Sequence, residues 1–481
     1  MTFHFSIFHS DSRHPEPRLQ RAWEWLQMGF FIFPLFPILG IVGLALALIA
    51  VWWQEYRIMM RRPLNWGLAI LSLWLIITSC FALNPSEAFL GLANLLPFFI
   101  MFATYNLLIQ TPGQLRRLAW VLVIPSVVVV ILGLGQMFLG WAHPEQLPVL
   151  FGWVLVANGN PPGRMASVFM YANILAAYLQ MVLILGLGLW IERFQAWRVH
   201  PSKSPDWVLW FLTVLVIGNA IALLLTSSRN AWGIAVVACL AFALYLGWRW
   251  LVIGVATAAG SILWASFGSE FLGRQWLRQI IPAYFWARLS DQLHPDRPMA
   301  LLRTTQWQFT LSMTQERPWL GWGLRNFTPL YEAKMGTFLG HPHNLLLMLT
   351  AETGIPAALL LCGLVGWIMF QGVQLLRTWL KVAPSVRVSE NRRGDTGTRG
   401  RGETETRRIE LPHTISFTPS VTSNQGCQDE LILFTYLLAF GCCTLFNLVD
   451  VTIFDLRFNT LSWLLLSAIS GVVYYQSNRK T

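Results

Sequence analysis

Residues 25–54 read WLQMGFFIFPLFPILGIVGLALALIAVWWQ, about thirty mostly apolar positions interrupted by Pro34, Pro37 and Gly40. They form either one long kinked helix or two short helices that meet near Gly40. At a rise of ~1.5 Å per residue each half reaches only ~22 Å, short for a hydrocarbon core of ~30 Å. Charge separates the two readings better than length. Arg13, Arg18 and Arg21 precede the stretch, and Arg57, Arg61 and Arg62 follow it. A hairpin puts both basic clusters on one side of a bilayer, as the positive-inside rule requires, whereas a single span splits them. The hairpin is therefore expected, with the N-terminus cytoplasmic.

The rest of the chain has the same character. Of its 481 residues 55% are hydrophobic and 12% charged, with a mean hydropathy of +0.51. Soluble domains carry about 25% charge. Further apolar runs lie at 66–83, 87–109, 118–140, 168–191, 207–227, 230–248, 250–267, 355–371, 430–448 and 459–475, with Trp and Tyr at their ends, the pattern of bilayer-crossing helices. The fold expected is an all-α polytopic membrane protein of about twelve transmembrane helices, or eleven if 25–54 crosses once. With both termini cytoplasmic, 23 of the 34 Lys and Arg fall inside, and eight of the other 11 lie in one long external loop, 268–343. Only Arg164, Arg229 and Arg457 then stand outside against the rule. The net charge of +11 has this topological source and does not call for nucleic acid. The first 28 residues are polar, so no cleavable signal peptide is expected. The six cysteines, at 80, 239, 362, 427, 442 and 443, show neither a disulfide framework nor zinc spacing.

The chain divides into N-terminal membrane helices (1–267), a large extracytoplasmic region with short helices (268–354), a span at 355–371, a linker at 382–429 and a C-terminal hairpin (430–481). The linker contains SENRRGDTGTRGRGETETRR at 389–408. With almost no apolar residues it cannot bury enough surface to order itself and reads as disordered. The external loop holds Trp276, Trp286, Trp307, Trp319 and Trp322 and the helical segment RTTQWQFTLSMTQERPWLGWG at 303–323, which Pro318 and Gly321 stop. It is expected to fold as a cap. A surface helix is expected at 343–353, before Gly354 and Pro356. His343 and Glu352 are nine positions apart on it and fall on opposite faces.

The topology gathers a few polar residues at the external border: Arg164, Arg229, His343 and Asp450. Guanidinium groups bind phosphate in a bidentate manner and keep their charge when dry, so the set suits an anionic, lipid-linked substrate. Each has a plainer role open to it. Arg229 can anchor a tight corner among headgroups, Arg164 can be a loop residue, and His343 can start a helix with its ring bonded to backbone. Glu352 suits tying backbone or an arginine, and Asn173 either bonds between helices or serves the site.

Three stretches, SSRNAW at 227–232, the segment that runs from 303 through RPWLGWGLRNFTPLY, and HPHNLLLMLTAETG at 341–354, together resemble the O-antigen ligase and polymerase superfamily. The likeness covers about 155–375, and LFNLVDVTIFD at 445–455 resembles that family's last hairpin. The chain is most similar to a cyanobacterial branch described as inorganic carbon (bicarbonate) transporters. The resemblance implies a GT-C-like glycosyltransferase that moves a glycan from undecaprenyl diphosphate to a lipid or glycan acceptor without metal or nucleotide cofactor, in the bacterial inner membrane. It implies that Arg229, Arg164 and Arg303 grip the diphosphate, that His343, with Arg229, is catalytic, and that Asn173, Glu352 and Asp450 support them. Two departures stand out. Asn230 replaces the family's usual Gly, and GRMASVFMYANILA at 163–176 keeps only Arg164 and Asn173 of the usual wording.

Two functions of different class remain: a glycan ligase or polymerase, and a carrier, or accessory to one, for a small anion such as bicarbonate. A carrier needs ionisable groups near the midplane and broken helices in repeated halves. The spans are nearly free of such groups and no internal repeat is present, which favours the transferase.

Overall fold

Pro37, and not Gly40, marks where the first apolar stretch breaks. The computed structural model describes residues 13–143, 152–199, 201, 204–269, 273–290, 298–394 and 420–478. In it α1 (Gln20–Ile32) and α2 (Pro37–Arg61) are separate helices joined by a turn at Phe33–Phe36. Pro37 sits in the first turn of α2, where its missing N–H leaves no bond unmade. Gly40 serves a different purpose. A Cβ there would stand 2.7 Å from the Cα of Phe33, and one on Gly29 would stand 2.9 Å from the backbone nitrogen of Leu44. Glycine lets the two helices touch backbone to backbone. At the open end Arg18 meets Glu55 at 2.8 Å, so the flanking basic clusters lie together as the hairpin requires.

Next come α3 (Pro63–Cys80), α4 (Pro85–Gly91), α5 (Leu96–Leu108), α6 (Pro112–Val123) and α7 (Ser126–Phe138). The runs expected as single helices at 87–109 and 118–140 are each broken, at Leu95 before Pro97 and at Pro125, because proline removes an N–H from the ladder. Then follow α8 (Ala172–Val199), α9 (Trp207–Leu225), α10 (Arg229–Tyr245) and α11 (Arg249–Phe267). The region between α11 and the next long helix supplies α12 (Arg274–Ile280), α13 (Ala283–Leu289), α14 (Arg303–Glu316), α15 (Phe327–Met335) and α16 (Leu345–Thr353). The chain closes with α17 (Ile355–Gly394), α18 (Ser420–Asn447) and α19 (Leu456–Asn478).

The fold is all-α and polytopic, with no strand among the described residues. Ten helices are long and apolar enough to cross a membrane, counting α4 with α5 and α6 with α7 as single spans. The expectation of twelve exceeds this because α1, with 13 residues, and α10, with 17, are too short to count. α8 and α19 are buried along most of their length and form the centre, whereas α11 lies at the periphery. α17 outruns the expected end at 371 and continues to Gly394, and α18 begins at Ser420, so helix occupies both edges of the segment expected to be disordered. Its middle, 395–419, lies outside the described residues.

The region of short helices from α12 to α16 has a small core of its own, made by Phe309, Met313, Phe327, Tyr331 and Ala351. It is locked to the membrane helices through the α3–α4 corner. Leu83 N–H donates to Trp322 O at 3.0 Å, and Asn84 N–H donates to Asn326 Oδ1 at 2.9 Å.

Filling the α1–α2 contact tests the hairpin. Gly40→Val should destabilise the solubilised protein by about 1–3 kcal/mol, the usual cost of overpacking, read as a lowered melting temperature. Gly363→Ala, whose added methyl meets nothing within 4 Å, should leave it unchanged. Equal melting of the two variants would count against the close-packed hairpin.

Candidate functional site

The loop between α7 and α8 is set by Gln136, a fully buried side chain near the end of α7. Its Oε1 accepts the backbone N–H groups of Ala166 at 3.1 Å and Ser167 at 2.8 Å, and its own carbonyl accepts Asn158 N–H at 3.1 Å. Arg457 pins the same loop from α19, donating to the carbonyls of Val168 at 2.9 Å and Gly152. This buried bonding accounts for one of the arginines that stood against the topology rule.

Arg164, a second of them, starts a chain of polar contacts. Its Nε donates to Thr226 O at 2.8 Å and its terminal nitrogen to Asn173 Oδ1 at 2.5 Å. Asn173, the second residue of α8, turns its amide nitrogen to Asp450 Oδ2 at 2.7 Å. That orientation is the one that serves a donor on one side and a carboxylate on the other. Asp450 Oδ1 in turn accepts Val451 N–H at 2.9 Å and the Nδ1–H of His343 at 2.9 Å. Burial works against an ionised Asp450, but the bond from His343, the neighbouring imidazoles and the Val451 N–H outweigh it and hold the carboxyl below its ordinary value.

His343 occupies a left-handed backbone conformation, φ 53°, which costs an L-residue on the order of 1 kcal/mol or more. It does not cap the helix. Asn344 does, its side chain accepting Leu347 N–H at 3.0 Å, so α16 begins at Leu345 and not at 343. The turn is held from the other side by Trp307, whose Nε1 donates to Pro342 O at 3.0 Å. Freed from capping, His343 directs its ring at Asp450. With Nδ1–H committed there, a neutral ring carries its basic lone pair on Nε2.

His341, not among the sequence candidates, completes the cluster. Its ring lies 4.5 Å from that of His343, centre to centre, and stacks on Phe454. Its Nδ1 accepts His343 N–H at 3.2 Å, and its Nε2 is 4.0 Å from Asp450 Oδ1. Burial, the charge of a protonated His343 and the nearby Arg303 lower its pKa to about 4 against the pull of Asp450. The ligand atoms of His341, His343 and Asp450 lie within 4.8 Å of one another, the spacing of a divalent-cation site. The hydrogen bonds point elsewhere. An Nδ1 that accepts from backbone places the proton of a neutral His341 on Nε2, the atom a metal would need, and His343 Nδ1–H already serves the carboxylate. The arrangement fits a histidine oriented by a carboxylate.

The other expected residues are placed as follows. Arg229 is the first residue of α10, in a corner whose Ser227 also has a left-handed φ of 53°. The corner flanks the site on both sides, since Thr226 O holds Arg164 and the Asn230 side chain reaches Val449 O at 3.3 Å. Arg303 begins α14, close enough for its charge to act on His341. Glu352 is not with them. It is fully buried, accepts Phe327 N–H at 3.2 Å, and has its pKa raised to about 7 by burial. Around it the segments 319–323 and 351–354 interlock. Trp322 N–H donates to Ala351 O at 2.9 Å, Gly323 N–H to Glu352 O at 2.8 Å, and a Cβ on Gly354 would fall 2.0 Å from Trp319 O. Glu352 secures the platform under the His343 turn.

His343 and Asp450 form part of the wall of a polar cavity of about 1060 Å³, joined by Asn173, His341 and residues of α4, α15 and the α18–α19 turn. A second, apolar groove of about 640 Å³ lies between α17, α18 and α19, beneath α16. Thr452 lines both.

A family model described as O-antigen ligase matches residues 211–362. That segment runs from α9 through the Arg229 corner and the short helices α12 to α16 into α17, and the match supports the likeness to the O-antigen ligase-like superfamily. No curated protein matches the chain.

Acid should weaken this cluster in a defined window. His341 has a folded pKa near 4 against an ordinary 6.5, so between those values the unfolded chain binds the extra proton and stability falls as pH falls. Asp450, also lowered, adds loss in the same direction below its ordinary 3.8. Glu352, whose folded pKa near 7 lies above its ordinary 4.5, takes up its proton in the folded state over the same range and offsets the trend. The effect is therefore read as a difference: on acidification from pH 6.5 to 4 the wild type should lose melting temperature relative to His341→Gln. An equal change in the variant would contradict the neutral His341.

Proposed function

We propose that this chain is a glycosyltransferase, a ligase or polymerase, that moves a glycan from undecaprenyl diphosphate to a lipid or glycan acceptor at the outer face of the plasma membrane. One observation carries the reading: a histidine oriented by a carboxylate lines a polar cavity that meets an apolar groove at Thr452. Leu361, Val365, Met369, Leu438 and Trp463 make the groove a fit for an isoprenoid tail. The head of such a lipid then lies at the level of the cavity and the arginines.

In the transfer, His343 Nε2 takes the proton of the acceptor hydroxyl as that oxygen bonds to the anomeric carbon. The bond from this carbon to the diphosphate oxygen breaks, and its electron pair leaves with the diphosphate. His343 becomes an imidazolium that Asp450 stabilises without taking the proton itself. Arg229 and Arg303 offset the charge of the departing diphosphate, and Arg164 adds its charge while holding Asn173. The distribution of charge favours this reading over an anion carrier. Every Asp, Glu, Lys and Arg in the crossing helices lies within about two turns of a helix end, whereas carriers concentrate such groups near the midplane.

With purified protein and an undecaprenyl-diphosphate glycan, His343→Ala should lower turnover by about 10²–10⁴-fold. Asp450→Asn should come close to it. An amide that keeps its oxygen for Asn173 presents N–H to His343 Nδ1 and moves the ring proton to Nε2. Normal turnover in both variants would refute the site. Uptake of radiolabelled bicarbonate by proteoliposomes of the wild-type chain, with no glycan transfer, would support the carrier instead.

A further inference from the structure

The ionisable groups around His343 are segregated. The described wall of the polar cavity carries four carboxylates, Glu87, Glu332, Asp450 and Asp455, and a single guanidinium, Arg325, which is bound to Glu87 at 3.1 Å. His341 stays neutral and adds no positive charge. Arg164, Arg229 and Arg303 are not among the described lining residues of this cavity. Arg164 touches the wall through Asn173 and the Tyr171 ring, while Arg229 heads α10 and Arg303 heads α14.

The cavity has the other features of a sugar-binding surface. Asn84, Asn94 and Asn160 bring amide-bearing side chains to its wall, suited to hydroxyl groups as both donor and acceptor. Tyr171, Phe338 and Phe454 line it while remaining 40%, 70% and 39% exposed, flat apolar faces on which a pyranose ring can lie. Its volume of about 1060 Å³ exceeds that of a typical small-molecule pocket. An anionic donor head cannot be the preferred occupant of a space whose carboxylates outnumber its cations.

We infer that this cavity is the acceptor subsite and that it selects a glycan acceptor free of acidic groups, neutral or amine-bearing, while the diphosphate of the donor is held by the arginines that do not line it. The inference rests on the transferase reading and adds the chemical class of its acceptor. Glu87 is paired with Arg325 and Asp450 with His343, yet the wall keeps an excess of carboxylates, Glu332 foremost. An acceptor bearing uronate or phosphate meets like charge there, which is a means of rejection. Glu332, on α15, is the most exposed of them and is the side chain whose charge is most readily changed without disturbing the fold.

Binding tests this without requiring turnover. The full-length protein in nanodiscs is titrated at about 20 mM salt, where screening is weak, with a neutral glucose trisaccharide, its glucosamine counterpart and a galacturonate trisaccharide. The neutral and amino trisaccharides should bind at least about tenfold more tightly than the uronate, the worth of roughly one unscreened charge pair. Glu332→Lys should narrow that ratio severalfold by improving uronate binding. Equal binding of all three, tighter binding of the uronate, no binding of any, or a ratio unmoved in Glu332→Lys would each overturn the assignment. Turnover onto a uronate or phosphorylated acceptor with normal His343 dependence would defeat the acceptor class and leave the transferase standing. Selective binding with no transfer to any acceptor would defeat the transferase reading and leave a charge-selective glycan site.

Discussion

An ionised carboxylate with 3% of its surface exposed just past the end of a membrane helix is tolerable only if donors surround it, and this end of the helix bundle is arranged around meeting that demand for Asp450. Leaving a buried charge without partners costs several kcal/mol. Three donors bond Asp450: the Asn173 amide, the Val451 N–H and the His343 ring. Each comes from a different part of the chain. The partners of those partners extend the demand to Arg164 and the carbonyl of Thr226. Through this one group α8, the α9–α10 corner, the turn before α16 and the α18–α19 turn are fixed to each other.

Backbone strain follows the same map. Among the described residues, the non-glycine residues with left-handed φ are Asn158, Ser167, Ser227, Arg325 and His343. All lie on loops around the site, at the Gln136-bound loop, the Arg229 corner, the cavity wall and the His343 turn. Such conformations persist where surrounding structure over-determines them. Here the fixing contacts are Gln136 to Ser167 N–H, Glu87 to Arg325 and Trp307 beside His343. The interlocked glycines at 321, 323 and 354 supply the rigid base that lets a nine-residue helix, α16, hold its leading turn in place.

Much of this was legible in the sequence because membrane helices announce themselves by length and hydropathy. The basic clusters around 25–54 called for a hairpin, and Arg18 meets Glu55 as that requires. The same reading misplaced the break at Gly40, since glycine signals both a stop and a close approach and only packing against Phe33 tells them apart. His343 and Asp450 were each picked out, but their pairing spans 107 positions and no periodicity reports a contact of that range. His341 carried no signal of its own in the sequence, and only the left-handed turn at His343 brings the two rings together. Arg164 was read as a phosphate ligand from its charge, whereas its hydrogen bonds to Thr226 and Asn173 give it a positioning duty that charge alone does not reveal.

The segment matched by the O-antigen ligase model, residues 211–362, contains His343, Arg229, Arg303 and Glu352 but not the carboxylate that orients His343 or the amide that holds that carboxylate. Asp450 comes from the C-terminal hairpin, and Asn173 with Arg164 from the entrance to α8. A proton acceptor without its orienter has no preferred tautomer, so the matched segment by itself does not define a base. The turn from 447 to 456 does both remaining jobs. Asp450 faces the polar cavity, and two residues later Thr452 lines the polar cavity and the apolar groove alike. A lipid that fills the groove between α17, α18 and α19 therefore presses on the same short turn that sets the histidine. That gives the bilayer-embedded half of a substrate a physical means of positioning the group that reacts with its other half.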